Sequence, residues 1–213
     1  MKRVLLAGAS GMVGREVLRQ ALADPRIGEV VAPTRRPLAA SAKLLNPRVD
    51  FDALPADAAW WEVDAAICTL GTTIREAGSQ AAFRKVDHDY PLAVARHALA
   101  HGASTFVLTS ASGANADSRI FYSRTKGELE RDLRELGYRS LTLVRPGLLG
   151  GERERRRPLE HAGMKLLGAV GPLLPRRYRV VPASQLAATL LQAALGAQPG
   201  VRVIESEMIG VSS

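Results

Sequence analysis

A short apolar run followed by a glycine-rich loop constrains this chain more than any other feature. Residues 3–7 (RVLLA) fit a buried parallel strand, and GASGMVG follows at once, with glycines at Gly8, Gly11 and Gly14. The next residues, 12–23, have the apolar spacing of a helix. In that context Gly8 permits a tight turn, Gly11 lets backbone approach a pyrophosphate, and Gly14 allows close helix–sheet packing. The pattern predicts a phosphate-binding loop at a helix N-terminus, and glycines used only for turning are the alternative.

The rest of the chain continues the alternation of strand and helix. Further strands are predicted at residues 30–32, 48–50, 65–70, 105–109 and 141–144, and further helices at 89–100 and 120–136. Strands and helices in this order favour an α/β fold with a doubly wound parallel sheet, the Rossmann arrangement.

The pattern changes after Pro146. A Gly-rich and Arg-rich loop is predicted first, then a helix near 164–170, an extended piece at 179–181, a helix capped by Ser184 that runs through Leu195, and a strand at 201–205. These pieces are too few for an independent core. We therefore expect one domain over residues 1–213, in which 146–213 form a small lobe on the substrate side.

Composition narrows the class of protein. The chain has 213 residues, and its single cysteine, Cys68, excludes an internal disulfide and a thiolate zinc site. The four histidines show no metal-ligand spacing, so no metal is expected. No window approaches the roughly 20 apolar residues of a membrane span, and the N-terminal apolar run is too short and Gly-broken for a signal peptide. We expect a cytosolic protein without a membrane partner.

The net charge of +8 raises nucleic acid or anionic ligands as partners. Aromatic residues make up only 5% of the chain, and they do not form the interleaved aromatic platform that single-strand binders use. A small molecule that carries phosphate explains the same charge more economically, so no nucleic-acid partner is expected.

The end of the second predicted strand indicates which dinucleotide is bound. An acidic residue there would bond the ribose 2′-hydroxyl of NAD, whereas this chain has Thr34, Arg35 and Arg36. Two guanidiniums suit a 2′-phosphate, which predicts NADP(H) in preference to NAD(H). A surface basic pair before Pro37 is the alternative.

Tyr122 and Lys126 are spaced to share one helix face. They can be a catalytic pair, or an aromatic and a cation one turn apart. The preceding strand ends with Ser110 and Ser112, at the sheet edge where such folds bind ligands, and either serine can hydrogen-bond a substrate carbonyl. A phenol with a pKa of about 10 is a poor acid–base group at neutral pH, and a nearby ammonium and the nicotinamide charge should favour the phenolate and lower its pKa.

Six motifs occur in the order found in one known family: GASGMVG, TRR, CTLGTT, TSASGAN, YSRTK and VRPGLLGGERERRR. Over nearly its whole length the chain resembles the atypical short-chain dehydrogenases/reductases, and among them the Tat-interactive-protein-like oxidoreductases. The resemblance implies that Tyr122 is the proton donor or acceptor, that Lys126 holds the nicotinamide ribose and that Ser110 matches the usual serine, with Ser112 left open.

The resemblance also implies a set of cofactor contacts. They are Ser10, Gly11, Met12 and Val13 at the phosphates, Arg35 and Arg36 at the adenosine phosphate, Asp50 or Phe51 at the adenine, Leu70, Gly71 and Thr72 beyond the fourth strand, and Arg145, Pro146 and Leu149 at the nicotinamide side. Arg157 is a further candidate at the substrate mouth.

Two main hypotheses for function follow. The first is an NADPH-dependent oxidoreductase that reduces a carbonyl of an unidentified small molecule. The second is a non-catalytic NADPH-binding regulator that acts through a protein partner. A nucleic-acid-binding protein is a third and weaker hypothesis, and the sequence leaves both a monomer and a homodimer open.

Overall fold

The computed structural model describes residues 1–150 and 180–211, and within them seven strands form one parallel sheet. In chain order the strands are β1 (Lys2–Ala7), β2 (Ile27–Val31), β3 (Leu44–Leu45), β4 (Ala65–Cys68), β5 (Thr105–Thr109), β6 (Ser140–Arg145), β7 (Leu149–Gly150), β8 (Val181–Pro182) and β9 (Gly200–Glu205). The sheet order is β3-β2-β1-β4-β5-β6-β9, and β7 pairs with β8 separately. The order reverses between β1 and β4, where sheets of this kind open a crevice for ligands.

Helices cover both faces of the sheet. They are α1 (Met12–Ala23), α2 (Ile74–Ala77), α3 (Gln80–Arg84), α4 (Tyr90–Ala100), α5 (Phe121–Glu135) and α6 (Ala183–Gly196), with a π-helical stretch at Lys85–Asp89 between α3 and α4. Because side chains alternate along a strand, Val4 and Leu6 enter the core shared with α1 and α6. Leu5 and Ala7 enter the core shared with α4 and α5. The predicted doubly wound parallel sheet is confirmed.

The third strand is displaced from its predicted position. The structure has β3 at Leu44–Leu45, and Arg48 makes only an isolated bridge with Thr34. Pro47 explains the break, since a proline has no N–H for the ladder. The strand predicted at residues 48–50 was therefore placed about four residues too late in the chain.

The predicted helix at residues 89–100 has unpredicted helical turns before it. Thr73 begins α2 by accepting a hydrogen bond from Glu76 N, and Ser79 begins α3 by accepting one from Ala82 N. Such N-caps are readable in a sequence, but α2 and α3 are too short to show apolar periodicity. They carry the chain from β4 to the buried start of α4.

Residues 180–211 were expected in a small lobe on the substrate side, but the structure places them against the main sheet. The strand β9 pairs in parallel with β6 throughout its length, and α6 packs beside α1, where Gln20 Nε2 donates to Ser184 O at 3.0 Å. These residues complete the main sheet because β6 would otherwise be an open edge beside a buried core. Ser184 does not cap α6, whose N-cap is Pro182.

The remaining lobe predictions, among them the helix near 164–170, lie outside the described residues. Among the helices that are described, none has the length and apolar character to cross a membrane.

Candidate functional site

The loop after β1 is closely packed around its glycines. Gly8 has φ +89°, and a Cβ there would lie 2.7 Å from the carbonyl carbon and Oγ1 of Thr69. A Cβ on Gly14 would lie 2.0 Å from Gly8 O, so α1 approaches the loop more closely than any larger residue allows. Gly11 is the N-cap of α1 and brings no side-chain hydrogen bond to it. The first N–H groups of α1 are therefore available to an anion, as the sequence pattern predicts.

A cavity of about 300 Å³ lies beside this loop at the carboxyl edge of the sheet. Its lining comes from the loop after β1, the segments after β2 and β3, the loop after β4, the π-helical stretch and the start of α4: Gly8, Ser10, Pro33, Thr34, Arg35, Arg36, Phe51, Leu70, Val86 and Tyr90. The structure thus brings together six of the predicted cofactor residues, Gly8, Ser10, Arg35, Arg36, Phe51 and Leu70, from four separate chain segments.

Phe51, rather than Asp50, lines that cavity. Its ring is 5.5 Å from the ring of Tyr90, whose hydroxyl donates to Asp52 Oδ1 at 2.6 Å. Asp50 instead lines an adjoining open depression with Arg35 and Arg48. Sequence patterns did not single out Tyr90, although an aromatic residue at the start of the helix that follows the β4 crossover was a readable signal.

Lys126 points into the protein and forms a buried ion pair that the sequence did not predict. Its Nζ lies 2.7 Å from Asp87 Oδ1, and Thr72 N donates to Asp87 Oδ2 at 2.8 Å. A Cβ on Gly71 would lie 3.4 Å from Asp87 Oδ1 and 3.9 Å from Lys126 Nζ. The pair therefore joins α5 to the loop after β4, two regions predicted to contact the same cofactor.

Tyr122 lies one turn before Lys126 and is 38% exposed. Its ring packs against Phe83, with the centroids 5.7 Å apart. Desolvation of the ring raises the pKa of the Tyr122 phenol above its ordinary value, Lys126 opposes this, and Asp87 adds to it. The predicted downward effect of Lys126 on this pKa is present, but desolvation outweighs it, so the net shift in the protein by itself is upward.

The two candidate serines differ in their surroundings. Ser110 is buried, and its hydroxyl donates to Glu130 Oε1 at 2.5 Å. A serine hydroxyl has a single proton, so in this arrangement Ser110 has none to donate to a ligand. Ser112 is exposed at the same end of β5, and its N–H donates to Pro146 O at 2.9 Å.

Arg145 is committed to structural ion pairs. Its guanidinium donates to both oxygens of Glu130, at 2.9 and 2.6 Å, and to Glu205 Oε1 at 3.0 Å, which ties β6 to α5 and β9. These carboxylates raise the pKa of Arg145 further. Arg145 does not line the cavity, and its contact at the nicotinamide side stays a prediction.

The other predicted residues are placed as follows. Met12, Val13 and Gly14 form the first turn of α1, and the Val13 side chain is buried in the core, which leaves only backbone groups for phosphates. Leu149 lies in β7, and Arg157 is outside the described residues.

Comparison with known proteins decides the family. No protein-family model matches the chain. The chain is 35% identical to protein fmp52, mitochondrial, from Emericella nidulans over 182 residues, which is 80% of this chain and 77% of that protein. It is 36% identical to protein HTATIP2 from Rattus norvegicus over 174 residues, 79% of this chain and 72% of that protein. The chain belongs to the HTATIP2/Fmp52 family of atypical short-chain dehydrogenases/reductases. The predicted family is confirmed.

Solved structures share the fold of this HTATIP2/Fmp52-family chain. MoeE5 in complex with UDP-glucose and NAD superposes with a TM-score of 0.71 at 18% identity, over 94% of this chain and 74% of MoeE5. WbmH of Bordetella bronchiseptica in complex with NAD⁺ gives 0.69 at 17% identity, over 97% of this chain and 76% of that protein. At these identities the likeness establishes a Rossmann-type α/β fold.

The comparisons contradict the expected cytosolic location. Family members from Emericella nidulans, Aspergillus fumigatus and Candida albicans are named as mitochondrial proteins. The cytosolic prediction was wrong because it used only the lack of a membrane span, a signal peptide and disulfides, and these features do not distinguish one reducing aqueous compartment from another.

Proposed function

We propose that this chain is an NADP(H)-dependent oxidoreductase that reduces a carbonyl group of a small molecule. One observation carries the proposal. A single cavity edge joins the glycine loop, two exposed arginines and the loop after β4, and that last loop is hydrogen-bonded to the Asp87–Lys126 pair. A candidate phosphate site and a candidate cationic site thus share one cavity, and the ion pair links its edge to the helix that carries the candidate proton donor, Tyr122.

The arginine pair supports NADP(H). Arg35 and Arg36 are exposed at the cavity, and in the described part of the chain neither guanidinium has an ion-pair partner. No carboxylate follows β2 to bond a ribose 2′-hydroxyl. The MoeE5 and WbmH structures are complexes with NAD or NAD⁺, which supports a nicotinamide dinucleotide in general, and the guanidiniums support the 2′-phosphorylated form.

Separate residues of the chain would bind the cofactor, hold the carbonyl oxygen and donate the proton. A bound nicotinamide dinucleotide would supply the hydride. Tyr122, whose raised pKa keeps the phenol protonated at neutral pH, would donate a proton to the carbonyl oxygen, which fits the reductive direction. Ser112 would hold that oxygen, since the proton of Ser110 is engaged by Glu130. Lys126 would hold the cofactor ribose from the buried side.

The buried Asp87–Lys126 pair also favours a second candidate function. Because desolvation of the ring, helped by Asp87, outweighs the downward effect of Lys126 on the pKa of Tyr122, the phenol is not activated as a base in the protein by itself. A chain that binds NADPH and signals through a protein partner would need the cofactor contacts and not the proton transfer.

One pair of measurements separates the two functions. Tyr122→Phe should bind NADP⁺ as the parent does, yet reduce carbonyl compounds at a rate lower by about 100-fold or more. The rate is followed as NADPH oxidation across a panel of aldehydes and ketones. Full activity of the phenylalanine variant would contradict the role of Tyr122. Tight NADPH binding with no turnover of any carbonyl by the parent would favour the regulator.

A further inference from the structure

Asn46 replaces a hydrogen bond that the backbone cannot make. Along the β2–β3 ladder the bonds alternate regularly: Ala32 N donates to Leu45 O at 2.8 Å, and Val49 N donates to Thr34 O at 3.0 Å. The same register would pair Ala32 O with the N–H of residue 47, which is a proline and has none. Asn46 Nδ2 donates to Ala32 O instead, at 2.5 Å. The side chain thereby closes the gap that Pro47 opens.

The Asn46 amide also forms hydrogen bonds at both ends of the segment that carries Arg35 and Arg36. Its second N–H donates to Thr34 Oγ1 at 2.8 Å, and its Oδ1 accepts from Leu38 N at 2.8 Å. The hydroxyl of Thr34 donates in turn to Arg36 O at 2.6 Å. Every donor of the amide is used, and Thr34 is buried. The backbone of residues 34–38 is therefore fixed at both of its ends and at Arg36.

We propose that Asn46 is the positioning residue that sets the dinucleotide preference of this chain, by holding Arg35 and Arg36 ready for the 2′-phosphate. The inference rests on the proposed NADP(H) site. Arginines on a preformed turn lose less conformational freedom on binding than arginines on a loose loop. Asn46 has no direct contact with the arginine side chains, so its effect is carried by the backbone and should fall on the phosphorylated dinucleotide alone.

The test compares dissociation constants of NADP⁺ and NAD⁺ for Asn46→Ala and for the parent. Ordering one freed arginine side chain corresponds to about a tenfold change, so we expect the NADP⁺ constant to rise about tenfold while the NAD⁺ constant stays within about twofold. Thr34→Val, which removes the bond to Arg36 O, should shift the ratio in the same direction. Equal weakening of both dinucleotides, or no change in their ratio, would overturn the inference.

A second readout needs no cofactor. In Asn46→Ala the N–H of Leu38 loses its acceptor, so its amide hydrogen should exchange with solvent faster than in the parent. Asn115→Ala is the matched control. It removes a comparable turn bond, from Asp117 N to Asn115 Oδ1 at 3.0 Å, away from the cavity, and should change neither the ratio nor the exchange at Leu38.

The parent and an Arg35→Ala/Arg36→Ala variant distinguish the inference from the proposed function. If the parent shows no preference for NADP⁺, the proposed cofactor is wrong and the inference fails with it. If the parent prefers NADP⁺ and loses that preference with the arginines but keeps it in Asn46→Ala, only the role of Asn46 is wrong.

Discussion

Lys126 and Asp87 form an ion pair in which both side chains are almost wholly withdrawn from water, with 4% and 2% of their surfaces exposed. A buried charge that loses its partner destabilises a fold far more than a broken surface pair does. The pair also holds the loop after β4 against α5 through Thr72 N. It is therefore a structural element of the site as well as a candidate cofactor contact.

Asp87→Asn should destabilise the protein by on the order of 3 kcal/mol, because Lys126 is left charged and unpaired in the interior. The free energy of unfolding in denaturant measures the loss. Adding Lys126→Met, which removes the stranded charge, should recover much of it. The control is Asp52→Asn, which breaks the exposed Lys85–Asp52 pair and should cost distinctly less. Equal losses in the two single variants would contradict the buried pair's importance.

Gly14→Ala should disturb the glycine loop. The added methyl would meet Gly8 O at 2.0 Å, and backbone cannot yield as a flexible side chain does, so we expect a loss of about 1–3 kcal/mol together with weaker dinucleotide binding. Thermal unfolding and NADP⁺ titration measure the two effects. Gly196→Ala in α6 is the matched control, since a Cβ there meets nothing within 4 Å. If Gly14→Ala behaved like that control, the close approach of α1 would be unimportant.

Replacing Ser110 should mainly lower the stability of the protein, whereas replacing Ser112 should mainly lower its turnover. Ser110→Ala removes a donor from buried Glu130 and should cost about 1–3 kcal/mol of stability. Ser112→Ala, at an exposed position, should stay within about 0.5 kcal/mol of the parent yet slow carbonyl reduction. Unfolding free energy and NADPH oxidation are compared in the same preparations. A stable Ser110→Ala protein with slow turnover would return the substrate role to Ser110.

Alkaline pH should weaken the fold through its phenols. Burial and Asp52 raise the pKa of Tyr90 to about 12, and burial raises the pKa of Tyr122 and Tyr138 as well. A raised pKa in the folded state contributes stability that is complete below about pH 10, where phenols of the unfolded chain ionise, and is lost as pH rises toward 12.

Denaturant unfolding at pH 8, 10 and 11 measures that loss. Tyr90→Phe should show a shallower decline than the parent, and the difference between the two proteins cancels the contribution of lysines that titrate in the same range. Parallel declines would mean that Tyr90 has the same pKa in both states.

The sequence predicted well those helices and strands whose apolar pattern is complete within one continuous segment. The bounds of α1 and β5 agree with the prediction residue for residue, and those of α5 within one residue at each end, because apolar runs and spacing record which side of a segment is buried. The glycine loop and the arginine pair were readable for the same reason, since each depends on neighbours in sequence.

Features that depend on pairing between distant segments were not readable in this way. Pro47 interrupts the β2–β3 ladder, so β3 lies earlier than predicted. The strand β9, which was expected in the lobe, pairs with the edge of β6. The partners of Ser110 and Lys126 are Glu130 and Asp87, from chain segments 20 and 39 residues away.

The sequence by itself determined the α/β class, the family and the glycine loop after β1, since these follow from residue types at short, regular spacing. Only the tertiary structure decided which groups remain able to react. The single proton of the Ser110 hydroxyl is donated to Glu130, whereas Ser112 is exposed. Desolvation raises the pKa of the Tyr122 phenol and keeps it protonated at neutral pH.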